Sequence, residues 1–218
     1  AGTVAVEYAA TGTPPSGRDS ASLDDLLQSI ERWGVVAATT VELYDDGGDF
    51  PASSSTRLGT TSGLTGTTGL TIRAADGERP RIVGSSNLSA VLEIQAPWVT
   101  IEGLTFVGDG ADRGVEIAAD HVTLRSVSIE GSIDGVRVSA SSGARIVNGL
   151  IYSLGDGSAP SVGIDLVEAT GAQVLHNTVV VTGAASVALA HNAPTGRDRA
   201  DRIQNNIFWV AGSGSAAY

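Results

Sequence analysis

The chain has 218 residues and a formal charge of −11, because 24 carboxylates face 13 basic side chains, all of them arginine. Such an acidic surface repels nucleic acid and anionic lipid, and we expect neither as a partner. The absence of cysteine excludes disulfide bonds, a thiol nucleophile and zinc–thiolate sites. No apolar run approaches the roughly 18 residues of a membrane span, so we expect no membrane insertion.

The first 34 residues are predicted to hold an edge strand, a loop and a capping helix. Apolar alternation over Thr3–Tyr8 predicts the strand, and the Gly/Pro/Ser stretch after it predicts the loop. A helix with one apolar face follows, with Ser22 as its N-cap and Gly34 as its stop. The residues of that face are Leu23, Leu26, Leu27 and Ile30. We expect this face to cover the open end of the first coil at Val41 and Leu43, because a solenoid needs a cap.

Residues 35–210 are predicted to form the coils of a β-solenoid, with 211–218 as a tail. One short apolar pattern recurs at Val99–Phe106, Val122–Ile129, Ile146–Tyr152, Val174–Val180 and Ile203–Phe208. Marker residues in these repeats are separated by 23, 23, 28 and 29 positions, a period typical of one solenoid turn with variable loops. The markers are Gly103, Ser126, Gly149, Asn177 and Asn206. With Leu70–Ile72 the repeats predict about six coils, and Asp45–Gly69 is expected to be a loop.

Each coil carries a further predicted strand with aliphatic residues inward and one polar residue outward. Because side chains alternate faces along a strand, these outward residues form a ladder on one face. The ladder consists of Glu93, Glu116, Arg137, Asp165 and Ala188. The variable coil lengths favour a right-handed solenoid, since a left-handed one would show a stricter six-residue rhythm.

The chain resembles the right-handed parallel β-helices of the pectin-lyase-like superfamily. The resemblance covers residues 21–210 and rests on the helical cap and on Leu70–Arg73, Val99–Phe106, His176–Thr178 and Asn205–Phe208. It implies an all-β fold, a right-handed parallel β-helix of about six coils with an N-terminal capping α-helix. Proteins of this fold include polysaccharide lyases and hydrolases, phage tailspikes and non-catalytic adhesins, so the resemblance implies a fold more than an activity.

The outward ladder supplies a first candidate for catalysis. Coils stack about 4.8 Å apart, so the backbones of Glu116 and Asp165, with Arg137 between them, would lie about 9.6 Å apart. This is near the upper end of the roughly 6.5–9.5 Å between the carboxyl groups of inverting glycosidases. The alternating charges are equally typical of a ladder that only stabilises the sheet. Polygalacturonase-type chemistry would require an aspartate where the chain has Val179, and a Gly-His-Gly motif that it lacks.

A uronate lyase is the second candidate. It needs a base to remove the proton beside the uronate carboxylate and a cation to neutralise that carboxylate. Resemblance to pectate lyases implies arginine as the base, here Arg137 or Arg125, and the absence of lysine excludes the lysine-based type. It also implies aspartate-bound calcium, with Asp109, Asp112 and Asp134 as the oxygen ligands. Alternatively, these aspartates cap ordinary turns.

The other strand face carries a predicted polar row. It consists of Arg73, Glu102, Arg125, Asn148, His176 and Asn205. His176 is a candidate base or ligand-binding residue, although a histidine beside an asparagine at a corner is also typical of a structural turn. Asn177 and Asn206 are predicted to stack and to satisfy the turn backbone. Trp98 is interpreted as a packing residue, and Trp209 as a candidate platform for a sugar ring.

We therefore expect a secreted or cell-surface domain that binds polysaccharide without a demonstrable catalytic site. The expected ligand-binding residues are Glu93, Arg125, His176 and Trp209. One alternative is a polysaccharide-degrading enzyme that uses Arg137, Glu116 and Asp165, and another is a structural spacer or adhesin segment. A start at Ala1 fits a processed secreted protein or a domain of a longer one. Because the last coil has no recognisable cap, we expect a neighbouring domain or a second copy to pack there.

Overall fold

The structure, a computed structural model, describes residues 3–8, 23–35, 37–45, 48–54, 56–59, 64–154, 160–192 and 200–211. Within these ranges the chain forms one α-helix and 21 β-strands. The helix, α1, spans Leu23–Trp33, and the N-terminal strand, β1, spans Thr3–Tyr8. The strands form three sheets, which we call A, B and C.

Each sheet takes one strand from each turn of the chain. Sheet A contains β1, β2 Thr39–Tyr44, β5 Leu70–Ala74, β8 Val99–Glu102, β11 Thr123–Arg125, β14 Arg145–Val147, β17 Gln173–Leu175 and β20 Arg202–Gln204. Sheet B contains β3 Phe50–Pro51, β6 Arg81–Val83, β9 Thr105–Val107, β12 Ser128–Glu130, β15 Leu150–Leu154, β18 Thr178–Thr182 and β21 Ile207–Ala211. Sheet C contains β4 Arg57–Leu58, β7 Leu92–Ile94, β10 Arg113–Ile117, β13 Asp134–Ser139, β16 Val162–Val167 and β19 Val187–Asn192.

The chain visits sheets A, B and C in turn, so each turn forms one three-stranded coil. Six complete coils run from β2 to β19, and β20 and β21 begin a seventh. Strands of successive coils pair in parallel, as Thr100 with Thr123 and Thr123 with Arg145 on sheet A. β1 pairs antiparallel with β2 and forms the predicted edge strand. The fold is the predicted right-handed parallel β-helix with an N-terminal helix.

The core is a stack of aliphatic columns inside the coils. On sheet A, one column has a single inward side chain per coil, each at most 3% exposed. It consists of Val41, Ile72, Ile101, Leu124, Ile146 and Val174. Burying such a side chain stabilises the fold by about 1.5–3 kcal/mol. Because each coil packs only on its neighbours, this stabilisation accumulates coil by coil.

The helix α1 caps the first coil, as predicted. Leu27, in the middle of the helix, is fully buried in the core that the helix shares with the coils. Asp24, in the first turn of the helix, accepts a hydrogen bond from the hydroxyl of Thr56 in the first coil. The helix ends at Trp33, and the Gly34 that follows has φ of 72°, a left-handed value that glycine adopts without strain. The predicted N-cap, Ser22, lies outside the described residues.

The expectation of a loop over Asp45–Gly69 is wrong, because β3 and β4 lie within it and complete the first coil. Each of these two-residue strands supplies one buried apolar side chain, Phe50 at 2% and Leu58 at 0% exposure. A single apolar residue produces no alternation along the sequence, so the period-two signal of a strand is missing here.

The corner between sheets A and B is formed in each later coil by one residue with left-handed backbone. These residues are Gly103, Ser126, Asn148, His176 and Asn205, with φ between 52° and 70°. The markers Gly149, Asn177 and Asn206 lie one position beyond this corner, so the predicted alignment slips by one residue. The predicted polar row is confirmed for Arg73, Glu102 and Arg125, which the register aligns. Beyond Arg125 the row is wrong for the same reason, since Arg125 pairs with Val147 rather than Asn148. Backbone geometry, and not side-chain type, fixes where the corner falls.

The corner before sheet C brings two consecutive residues inward, which shifts the alternation that follows. Ala188 and Leu189 are both buried, and Ala190 rather than Ala188 pairs with Asp165 on the outer face. The placement of Ala188 on the ladder is therefore wrong. Glycine at this corner permits the close approach: a Cβ on Gly135 would lie 2.3 Å from the carbonyl oxygen of Gly163.

Candidate functional site

The outer face of sheet C carries the predicted charged ladder. Register aligns Glu93, Glu116, Arg137 and Asp165 in four consecutive coils. A second outward column begins three residues earlier, where Arg113 pairs with Asp134. We call five of these residues the sheet C cluster: Arg113, Glu116, Asp134, Arg137 and Asp165. Sheet C therefore brings the three residues of the acid–base hypothesis together with two charged residues that the hypothesis did not include.

Contacts within the sheet C cluster are ion pairs between half-buried side chains. Arg113 Nη1 lies 3.2 Å from Glu116 Oε2, and Arg137 Nε lies 3.9 Å from Asp165 Oδ2. The exposed fraction of these four side chains is between 20% and 32%. The Nε atoms of both arginines are buried without a hydrogen-bond partner in the described structure. Buried donors without a partner are uncommon in folded proteins.

Burial raises the pKa of two carboxyl groups in this cluster. For Asp134, desolvation outweighs the hydrogen bond from the Val162 N–H and the charge of Arg113, and the pKa rises. For Asp165, desolvation outweighs the attraction of Arg137 and Arg113, and the pKa again rises. A carboxyl group with a raised pKa keeps its proton closer to neutral pH, which is a property of general acids.

Arg125 lies on a different face from Arg137. Its side chain is on the outer face of sheet A, 3.9 Å from Glu102 and 48% exposed. It continues a column of alternating charge in which Arg73 Nη2 lies 2.5 Å from Glu42 Oε1. The two arginines proposed for a lyase therefore do not share a site.

The predicted calcium ligands are not assembled. Among the described residues, no group of three or more His, Asp or Glu side chains could hold a metal ion. Asp109 occupies a left-handed turn position with φ of 42°, and Asp112 is exposed. Asp134 Oδ1 accepts a hydrogen bond from the Val162 N–H at 2.8 Å. Asp134 therefore binds a backbone N–H group, in line with the alternative that these aspartates cap the backbone.

The surroundings of His176 are those of a structural corner. His176 has φ of 59°, and the next residue, Asn177, is 1% exposed. Asn177 Oδ1 accepts from the Gly149 N–H at 2.7 Å, and its Nδ2 donates to Asn206 Oδ1 at 3.0 Å. The predicted asparagine stack is present. Trp209, in contrast, lies on the outer face of sheet B and is 63% exposed.

A groove of about 410 Å³ lies along the corner between sheets C and A, and we call it the corner groove. Six of its lining residues are the aromatic Trp98 and His121 and the polar Thr100, Thr123, Arg145 and Gln173. Register places the four polar residues in one outward column on sheet A. Three coil steps separate the first from the last, a span of about 14 Å. The corner groove is long enough for several units of a linear ligand.

Trp98 and His121 form a stacked pair, with ring centroids 3.8 Å apart and ring planes inclined by 18°. Both residues are in left-handed backbone, with φ of 60° and 57°, whereas Gly143 and Gly171 fill the same corner position in the next two coils. Left-handed backbone at a non-glycine residue costs about 1–3 kcal/mol. Ala140, Glu168 and Ala185 also adopt it, so it is a feature of the turns of this solenoid. Trp98 packs against His121, as predicted, and 36% of it remains exposed.

The sequence contains a signal for this site, although residue type alone does not reveal it. Trp98 and His121 are 23 residues apart, which is the spacing of the first coil markers, and each precedes a threonine by two positions. The same offset separates Gly143 from Arg145. Only the coil alignment shows that these residues occupy equivalent positions and therefore stack.

Comparisons with protein-family models, with curated proteins and with solved structures found no significant match. In the described part of the chain, no helix has the length and apolar character needed to cross a membrane.

Proposed function

We propose that this protein is a polysaccharide-binding domain of the pectin-lyase-like superfamily, and that the corner groove holds the glycan. The observation that carries this proposal is the stacked Trp98–His121 pair beside a polar column of four coils. Because long polysaccharides are found at cell surfaces and outside cells, the proposal includes an extracellular or cell-surface location.

The chemistry of the corner groove suits a carbohydrate. Aromatic rings pack against the C–H faces of sugar rings, while threonine, glutamine and arginine side chains exchange hydrogen bonds with the hydroxyl groups. None of the described residues lining the groove is acidic, although the whole chain has a formal charge of −11. Arg145 therefore offers an unpaired cationic contact for a hydroxyl or carboxylate group of the glycan.

The variant Trp98→Gly tests the proposal with little risk to the fold, because glycine is the native residue at the equivalent position two and three coils later, at Gly143 and Gly171. Affinity electrophoresis against neutral and acidic polysaccharides measures retention. We expect Trp98→Gly to bind about thirtyfold more weakly, since an aromatic anchor contributes on the order of 2 kcal/mol. The control is Ala185→Gly, which likewise introduces glycine at a left-handed residue, with φ of 58°, away from the corner groove.

Unchanged retention of Trp98→Gly, or no retention of the native protein by any polysaccharide, would contradict the proposal. Retention lost in Ala185→Gly as well would point to a general effect on folding, and equilibrium unfolding of both variants identifies that case.

A second candidate function, acid–base hydrolysis of a polysaccharide at the sheet C cluster, is favoured by the raised pKa of Asp134 and Asp165. In this reaction a protonated carboxyl group would donate to the leaving oxygen while Glu116 activates water on the opposite side. Incubation of the protein with the same polysaccharides tests it: new reducing ends that disappear in Asp165→Asn support hydrolysis, and their absence from every substrate argues against it. Neither the separated arginines nor the dispersed aspartates favour a uronate lyase.

A further inference from the structure

The outer face of sheet B carries an apolar patch on its last three strands, β15, β18 and β21. Four large hydrophobic side chains are exposed there: Leu150 at 50%, Tyr152 at 39%, Ile207 at 64% and Trp209 at 63%. We call these four residues the sheet B patch. Exposed apolar groups of this size, gathered on one flat face, mark a surface that binds something.

Strand register fixes how the two aromatic residues are arranged. Tyr152 pairs with Val180, and Val180 pairs with Trp209, so the three side chains lie in one outward column. Parallel strands are about 4.8 Å apart, which separates the backbones of the two aromatic residues by about 9.6 Å. This distance matches the disaccharide repeat of an extended β-1,4-linked glycan, in which every second sugar presents the same face.

The sheet B patch is free of charge. Among the described residues that face outward on β15, β18 and β21, none is charged. The first charged residue in the aromatic column is Glu130, one coil before Tyr152, and it lies 3.9 Å from Arg81. In a chain with a formal charge of −11, this uncharged area is complementary to a neutral polymer and offers nothing to a uronate chain.

We infer that the sheet B patch binds a neutral, extended β-1,4-linked glycan whose chain runs along the solenoid axis, with sugar rings on Tyr152 and Trp209. This inference shares with the proposed function the premise that the protein binds polysaccharide, but it concerns a different surface and a neutral ligand. Two platforms on one chain would bind jointly, because once the first sugar is held the second contact is intramolecular. Rigid rings already fixed on a sheet lose little conformational freedom on binding.

The test is depletion of the protein from solution by microcrystalline cellulose and by chitin, with de-esterified pectin as the acidic comparison. We expect retention on the neutral polymers, and a loss of about tenfold in Trp209→Ala and in Tyr152→Ala. The control is Gln204→Ala, because Gln204 is exposed in the same last coil but lies on sheet A, outside the sheet B patch. It should retain binding within about twofold.

Each remaining result bears on the inference. Full retention of Trp209→Ala and Tyr152→Ala on the neutral polymers would overturn it. Self-association in sedimentation, weakened alike by Ile207→Ala and Trp209→Ala, would show a protein interface and also overturn it. If Trp98→Gly alone loses glycan binding, the proposed function stands and this inference fails. If only the sheet B variants lose it, the inference stands and the corner groove is not the site.

Discussion

Replacing Asn177 with alanine removes a side chain that joins three successive coils. Its Oδ1 accepts from the Gly149 N–H at 2.7 Å, and its Nδ2 donates to the Ile146 carbonyl at 2.8 Å in the preceding coil. The same Nδ2 donates to Asn206 Oδ1 at 3.0 Å in the following coil. Asn177 is 1% exposed, so water does not compete for these bonds in the folded protein.

The cost of this substitution follows from the groups left without partners. Alanine leaves the buried Gly149 N–H without its acceptor and removes one donor from the buried Ile146 carbonyl. An unsatisfied buried group costs about 1–3 kcal/mol, and the Ile146 carbonyl keeps its place in the strand ladder, so we expect Asn177→Ala to lower the free energy of unfolding by about 1–3 kcal/mol. Asn206→Ala should cost less, because Asn206 is half-buried and water can reach the groups it leaves.

Two measurements together test this expectation. Equilibrium unfolding in guanidinium chloride gives the change in the free energy of unfolding. Amide hydrogen exchange reports on the Gly149 N–H directly, and this local measurement is needed because solenoids can open coil by coil. The control is His176→Gly, which changes the adjacent exposed corner residue, at φ of 59°, to the type that suits left-handed backbone best. A loss below about 1 kcal/mol in Asn177→Ala, with the Gly149 amide still protected, would refute the reasoning.

Two further predictions concern stability. Gly135→Ala should lower the free energy of unfolding by about 1–3 kcal/mol or more, because its Cβ would lie 2.3 Å from the Gly163 carbonyl oxygen. Gly66→Ala should change the free energy of unfolding little, because its Cβ would have no neighbour closer than 3.4 Å. Thermal unfolding of both variants checks this. Burial raises the pKa of Asp134 and Asp165, so the folded protein binds these protons more tightly than the unfolded chain does. The two protonated carboxyl groups therefore contribute most to stability below the ordinary carboxyl pKa. This contribution falls as pH rises through the raised pKa values. Denaturant midpoints from acidic to neutral pH should show this fall, and a slope unaltered in Asp165→Asn would contradict it.

The coil repeat could be predicted from the sequence because the inward residues of a parallel solenoid are aliphatic in every turn. The columns through Ile101 and Leu124 on sheet A, and through Val115 and Val136 on sheet C, each leave a regular signal. The charged ladder was predictable for the same reason, since a residue between two inward aliphatic residues of a strand must face outward. β3 escaped prediction because Phe50 is its only buried residue.

The corner groove could not be predicted in the same way, because corners are defined by backbone conformation. Trp98, His121 and Gly143 share a left-handed φ but no side-chain property, so no pattern of residue types joins them. A slip of one residue at the A–B corner likewise placed Arg125 in a row with His176, although its true neighbour is Val147. Tyr152 and Trp209 became a pair only when the register of β15, β18 and β21 was known.

The most direct test of glycan binding at the corner groove is a titration that observes the tryptophan rings themselves. The chain has three tryptophans, so its ¹H–¹⁵N spectrum contains three indole signals, which single Trp→Phe variants assign. With soluble oligosaccharides taken from the polysaccharides that retain the protein, the account predicts that the Trp98 signal shifts and saturates, and that Arg145→Gln weakens the response. A Trp98 signal that stays fixed at saturating oligosaccharide would contradict the account.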